Sequence, residues 1–216
     1  MRKEESIHVN TAALQASDHT LRLDGLAIRT TAQAGYTTDT EWLDACRRGE
    51  RVAQRWLYEK YAGKMYYVCL RYLGDADDAQ DVMHDAFVKV FASIARFRGE
   101  AALETWISRI MANTSINSIR KQARRGIKKD IDDLKLADQS DTTGMIETPN
   151  SLSAQEVLKM ITELPVGYRT VLSMYALDGY THQEIAKALG ISEGTSKSQL
   201  AKARKMLKQR IEEKNG

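Results

Sequence analysis

Residues 181–207, THQEIAKALGISEGTSKSQLAKARKML, decide how this chain is read. They describe two short helices across a tight turn. In the first, Ile185, Ala186 and Leu189 recur on one face at helical spacing. Gly190 supplies a residue that takes the left-handed conformation ending a helix. Ile191 then plugs the angle between the helices. Ser192 offers its hydroxyl to orphan amides of the second helix, and Glu193 meets the positive end of that helix's dipole. The second helix is expected to bury Leu200, Ala203 and Leu207 and to turn Thr195, Ser198, Lys202 and Lys205 outward. Two apolar-faced helices at a glycine turn, the second with a small-polar and basic outer face, predict a DNA-binding helix-turn-helix. The competing reading is an ordinary helical hairpin with a polar surface.

The rest of the chain sets the frame. Its 216 residues are 43% hydrophobic and 28% charged, enough for one large or two small globular domains. Only two prolines and few alternating β-branched runs predict an all-α fold. A formal net charge of +3 does not by itself imply a nucleic-acid partner, but the charges are unevenly placed. Cys46 and Cys69 sit in apolar helical patterns and read as buried thiols of a reducing compartment. No set of Cys or His stands at metal-ligand spacing, so neither a metal nor a cofactor is expected. No apolar run approaches the roughly 20 residues of a membrane span, and no basic-then-apolar secretion signal opens the chain. A soluble cytoplasmic protein without direct membrane insertion is expected.

Residues 1–38 have no sustained period and read as a poorly ordered extension. From Asp39, apolar residues recur at three and four: Trp42, Leu43, Cys46, Val52, Ala53, Trp56, Leu57 and Tyr61, then Met65 to Leu73. This is core material for a helical bundle. Residues 75–97, DADDAQDVMHDAFVKVFASIARF, have an apolar face on Val82, Ala86, Val90 and Ile94. Asp81, His84, Asp85 and Lys89 lie on the other face, as a solvated or protein-docking surface. A break at Arg98, Gly99 and Glu100 precedes a long helix that changes character along its length. Leu103, Trp106, Ile107, Ile110 and Met111 point inward, whereas Asn113, Asn117, Arg120, Lys121, Arg124 and Arg125, then Lys128 and Lys129, are polar and basic. Such clustering exceeds what the C-terminal helix dipole favours and predicts contact with phosphates. Residues 129–152 are acidic, contain Gly144 and Pro149, and read as a flexible linker. A second helical domain follows over residues 153–212, with Val157, Met160, Ile161 and Leu164 before Pro165. A helix carrying Tyr168, Val171, Leu172, Tyr175 and Ala176 then runs to Asp178-Gly179. The expected fold is thus two small helical domains, residues 39–128 and 153–212, on an acidic tether, with the helix-turn-helix in the second.

The order of these parts resembles an alternative sigma factor of bacterial RNA polymerase, of the extracytoplasmic-function class. The resemblance covers nearly everything from residue 39 to residue 208 and rests on three blocks. DADDAQDVMHDAFVKVF is similar to the region that docks on the clamp helices of the β′ subunit. FRGEAALETWISRIMANTSINSIRKQARR is similar to the promoter-melting and minus-ten-reading region. The block from Leu164 to Leu207 is similar to the domain that reads the minus-thirty-five element and meets the β flap. An acidic linker in place of a domain between the two is a mark of this class.

The resemblance implies roles by position. Asp81, His84, Asp85 and Lys89 would face the polymerase, with His84 standing where the family usually has Gln. Arg98, Gly99 and Glu100 belong to the loop that would capture a flipped base. Asn113, Asn117, Arg120, Lys121 and Arg124 would meet the opened minus-ten strand, while Trp106 has core packing and a melting role as rival readings. Thr195, Ser198, Gln199 and Lys202 would face the major groove, and Lys197, Arg204 and Lys205 would anchor phosphates. Ser196 and Gln199 depart from the Val and Arg common in the family. The implied partners are core RNA polymerase, promoter DNA and an anti-sigma protein, and the implied protein performs no chemistry itself. Two rivals remain at the level of sequence. A stand-alone helix-turn-helix regulator leaves residues 75–125 unexplained. An enzyme built on His84, Asp81 and Asp85 lacks a paired nucleophile, a phosphate loop and a metal set.

Overall fold

The computed structural model describes residues 38–125 and 153–215. Apart from Thr38, the extension over residues 1–38 lies outside the described residues, as do Lys128, Lys129 and the linker over residues 129–152. Every regular element among the described residues is helical: α1 (Asp39–Arg47), α2 (Arg51–Leu73), α3 (Ala76–Ser93), a 3₁₀ turn (Ile94–Arg96), α4 (Leu103–Arg124), α5 (Ala154–Thr162), α6 (Val166–Leu172), a π turn (Ser173–Leu177), α7 (His182–Leu189) and α8 (Glu193–Asn215). Contacts divide the chain into two compact units. Among the described residues, one holds 38–70 and 76–115; the other holds 71–75, 116–125 and 153–215.

In the first unit α1 starts where side chains satisfy its free amides. Thr38 and Glu41 form a capping box on α1, with the Glu41 amide donating to Thr38 Oγ1 at 3.2 Å and the Thr38 amide donating to Glu41 Oε2 at 3.0 Å. Loss of such a cap typically costs about 1 kcal/mol. The core is built from Leu57, Met65 and Cys69 of α2, Val82, Ala86, Phe87 and Val90 of α3, and Ile107 and Met111 of α4, all buried. Each large aliphatic or aromatic side chain there contributes about 1.5–3 kcal/mol. Trp42 is buried and stacks on Trp56 at 4.7 Å between ring centroids. Neither cysteine is in a disulfide; Cys69 donates to the Met111 thioether at 3.9 Å, and burial pushes the Cys46 thiol up to about 11. One apolar assignment fails: Val52 is 54% exposed. It sits in the first turn of α2 at helical spacing to Trp56, but the helix turns that position outward.

In the second unit, capping boxes start α5 (Ser153 with Glu156) and α7 (Thr181 with Glu184). Ile161, Leu164, Val166, Val171, Leu172, Met174, Ile185, Leu200, Ala203 and Ile211 form its core. The helix expected to run to Asp178 stops being α-helical at Leu172, and a π turn carries the chain through Leu177. Arg169 is buried, at 8% exposure. Its guanidinium donates to the carbonyls of Tyr72 (2.8 Å), Leu164 (3.0 Å) and Leu73, so one cation satisfies orphan carbonyls at the ends of two segments. Asp178 accepts from Arg71 and from the Tyr72 hydroxyl, which burial raises well above the usual phenol range.

The helix-turn-helix has the expected turn. Gly190 adopts φ 69°, ψ 35°, and both its amide (2.9 Å) and that of Ile191 (3.1 Å) reach the Ala186 carbonyl. A residue with a Cβ is strained in that conformation, which is why glycine stands there. Ser192 Oγ accepts from the Thr195 amide at 2.9 Å, capping α8.

Candidate protein and nucleic-acid interfaces

Three surfaces carry the predicted residues. On α3, Asp81, His84, Asp85 and Lys89 are all exposed. They lie opposite the buried stripe of Val82, Met83, Ala86, Phe87 and Val90. His84 Nε2 is 3.1 Å from the Tyr58 hydroxyl, and Lys89 Nζ donates to Thr114 Oγ1 at 3.2 Å, so both are oriented from neighbouring helices. Asp81 and Asp85 lie beyond the first turn, where Asp77 and Asp78 already complement the dipole. Helix-end electrostatics therefore do not explain them. Val88 is 69% exposed between these charges. It follows Asp85 by three and His84 by four residues, and apolar periodicity gives no signal for an apolar residue placed on a polar face.

On α4, Asn113, Asn117, Arg120, Lys121 and Arg124 are all exposed. Their spacing of four, three, one and three draws one line along the helix, and the last four with Arg125 surround a basic concavity of about 320 Å³. Ahead of α4, Arg98 and Glu100 are exposed and 4.0 Å apart. Gly99 between them has φ +78°, a conformation that requires glycine. Arg47 of α1 donates to the Phe97 carbonyl at 2.7 Å, holding the start of this loop. Trp106 is half-buried against Phe97, ring centroids 5.3 Å apart.

Along the first half of α8, Lys197, Ser198, Ala201, Lys202 and Lys205 are exposed or half-exposed. They form one stripe at helical spacing, with the small Ala201 leaving the centre open.

Two sigma-70 family models match the chain: sigma-70 region 2 over residues 57–125 and sigma-70 region 4 over residues 154–207. The ECF RNA polymerase sigma-E factor of Haemophilus influenzae is 29% identical over 182 residues, covering 81% of this chain and 96% of that protein. The RNA polymerase sigma-H factor of Pseudomonas aeruginosa is 29% identical over 176 residues, covering 78% and 91%. The sigma-E factor of Escherichia coli K12 is 29% identical over 183 residues, covering 81% and 95%. The chain belongs to the sigma-70 family, in its extracytoplasmic-function class. It is an alternative sigma factor of transcription initiation.

Within this sigma factor α8 turns differently from the orientation expected of it. Thr195 and Gln199, expected to face the major groove, are 5% and 1% exposed. Thr195 is drawn in by the Ser192 hydroxyl at 2.9 Å, and Gln199 lies on the same side of α8 as Leu200 and Ala203. Leu207, expected in the core, is only half-buried. Arg204, expected to anchor a phosphate, is half-buried with its guanidinium 5.8 Å over the Tyr175 ring, and burial lowers its pKa. The solvent-facing stripe in the first half of α8 therefore runs through Lys197, Ser198, Ala201 and Lys202.

Ser196, one of the departures from the family pattern, is fully buried, and its hydroxyl lies 2.9 Å from His182 Nδ1. The His182 ring stacks on Tyr175 at 4.5 Å. Burial lowers the His182 pKa, helped by Lys197 and Arg204 and opposed by Glu193. In the window between the lowered folded pKa and the unfolded value near 6.5, the unfolded chain binds the extra proton, so stability falls as pH drops. Melting of the wild-type protein between pH 7.5 and 5 is expected to shift downward through that window. His182→Gln, which can still hydrogen-bond Ser196, is expected to flatten the shift; parallel pH profiles would refute it.

Among the described residues no group of His, Cys, Asp and Glu is arranged to hold a metal ion. No described helix is long and apolar enough to cross a membrane.

Proposed function

We propose that this sigma factor grips core RNA polymerase with the exposed face of α3 and promoter DNA with two further surfaces. The observation that carries the reading is the line of Asn113, Asn117, Arg120, Lys121 and Arg124 on one exposed face of α4. Asparagine amides read unpaired base edges, and the cations that follow track the backbone. Residues 39–128 act as the unit that docks and opens the minus-ten region, with the Arg98–Gly99–Glu100 loop receiving an unpaired base. Residues 153–212 read the upstream element through Lys197, Ser198 and Lys202, with Lys205 on phosphate. Residues 129–152 join them. The protein works in the cytoplasm, performs no chemistry of its own, and is held inactive by an anti-sigma protein that covers the α3 and α8 faces.

Run-off transcription with core polymerase on genomic fragments tests the reading: discrete transcripts are expected only when both proteins are present. Duplex promoter binding by the protein alone, equal to that with core, would refute it. Replacing Arg120, Lys121 and Arg124 by alanine is expected to lower the salt slope of holoenzyme binding to a pre-opened promoter by about 0.7 for each lost phosphate contact. An unchanged slope would remove these residues from the DNA surface.

A further inference from the structure

The last side chain of α1 reaches into the loop that precedes α4. Arg47 Nη2 donates to the Phe97 carbonyl at 2.7 Å, and Nη1 donates to Asp44 Oδ1 at 2.8 Å, one turn back on the same helix. The guanidinium fork thus has one prong fixed on its own helix and one on the loop, a geometry that the point charge of a lysine does not reproduce. Arg47 precedes the residues, 57–125, that match sigma-70 region 2.

Both ends of this bond are held. Buried Trp42, Ala45 and Cys46 seat α1, and its capping box fixes its start. Phe97 is buried, its amide donates to the Ile94 carbonyl at 3.1 Å to close the 3₁₀ turn, and its ring lies against Trp106. At Phe97 the backbone becomes extended (φ −67°, ψ 115°), so its carbonyl leaves the helical pattern and takes its hydrogen bond from Arg47. Residues 98–102 are then all exposed. Regular bonding resumes where the Trp106 amide donates to the Ala102 carbonyl at 3.1 Å. Phe97 is therefore the last buried residue before the exposed stretch, and Arg47 orients the peptide that launches Arg98 and Gly99.

We propose that Arg47 is a positioning residue for base capture, fixing the start of the Arg98–Gly99–Glu100 loop so that an unpaired base meets a loop already oriented. The inference rests on the reading that this loop receives such a base. A loop ordered in advance binds more tightly because less ordering is left to the binding step. The bond also ties α1 to the 3₁₀ turn it packs against, but the two uses differ in consequence. Lost packing weakens every complex alike, whereas lost positioning weakens only complexes in which the base is captured.

The test uses holoenzyme assembled from core polymerase and the full chain, either wild type or Arg47→Met, which keeps an apolar stem at an exposed position and removes the donors. Each is bound to a pre-opened promoter whose non-template strand is intact or carries single abasic positions. Titration against core alone sets the active concentration of each protein, so a folding defect does not enter the comparison. Wild type is expected to lose affinity where the captured base is missing. Arg47→Met is expected to bind the intact strand roughly 3- to 10-fold more weakly than wild type, the size of one ordinary hydrogen bond, and to match wild type on the strand that lacks the captured base. The cycle of variant and abasic position thus isolates the coupling between Arg47 and that base. Equal loss by Arg47→Met on the intact and every abasic strand, or no loss on any, overturns the positioning role and leaves the loop reading standing. Insensitivity of wild type to every abasic position overturns both.

Discussion

Reversing Asp81 and Asp85 to lysine is expected to lower the affinity of the protein for core polymerase by about 100-fold. Both carboxylates are exposed and stand on one face of α3, so the double variant should fold as wild type does. Like charges brought together across an interface cost several kcal/mol, and about 3 kcal/mol corresponds to that factor. Val88, 69% exposed between the charges, is the apolar centre such a surface needs. Val88→Glu is expected to add to the loss, because a buried unpaired carboxylate replaces an apolar contact. Co-purification with core at varied salt measures it, with circular dichroism as the control for folding. Retention of both variants by core at wild-type levels would remove α3 from the interface.

Lys202→Ala is expected to change the preference among upstream promoter elements by about 1–3 kcal/mol, roughly 5- to 150-fold, the value of one good side-chain contact to a base edge. Gln199→Ala is expected to leave that preference unaltered and instead to lower the melting temperature, since Gln199 is 1% exposed. Competition transcription across a library of upstream variants separates the two. A shifted preference for Gln199→Ala at unchanged stability would return that residue to the groove.

These paired expectations come from different levels of the molecule. The helix-turn-helix is legible in the chain because its signals are local. Gly190 needs a left-handed backbone, Ser192 and Thr181 need amides to cap, and Ile185 needs a buried side, all within a few residues. The acidic face of α3 and the basic end of α4 are legible for the same reason, since charge and apolar spacing are properties of single helices. The π turn after Leu172 left no such signal, because apolar residues continue through it at spacings that also suit an α-helix.

Which way a polar residue turns is a different kind of fact. Thr195 and Gln199 look like groove residues by type and by position, yet both are buried, whereas Val52 and Val88 are exposed. Arg169 looks like a surface cation and is enclosed by carbonyls from two segments. The sequence by itself determined the helices, their caps, the turn between α7 and α8, and the sign of each charged face. Only the tertiary structure decided which stripe of α8 meets solvent. That choice depends on what the turn before α8, α7 and the π turn present to it: a Ser192 hydroxyl for Thr195, and a His182 ring held on Tyr175 for Ser196. A polar side chain is buried wherever a partner is waiting for it, and the partner comes from elsewhere in the chain.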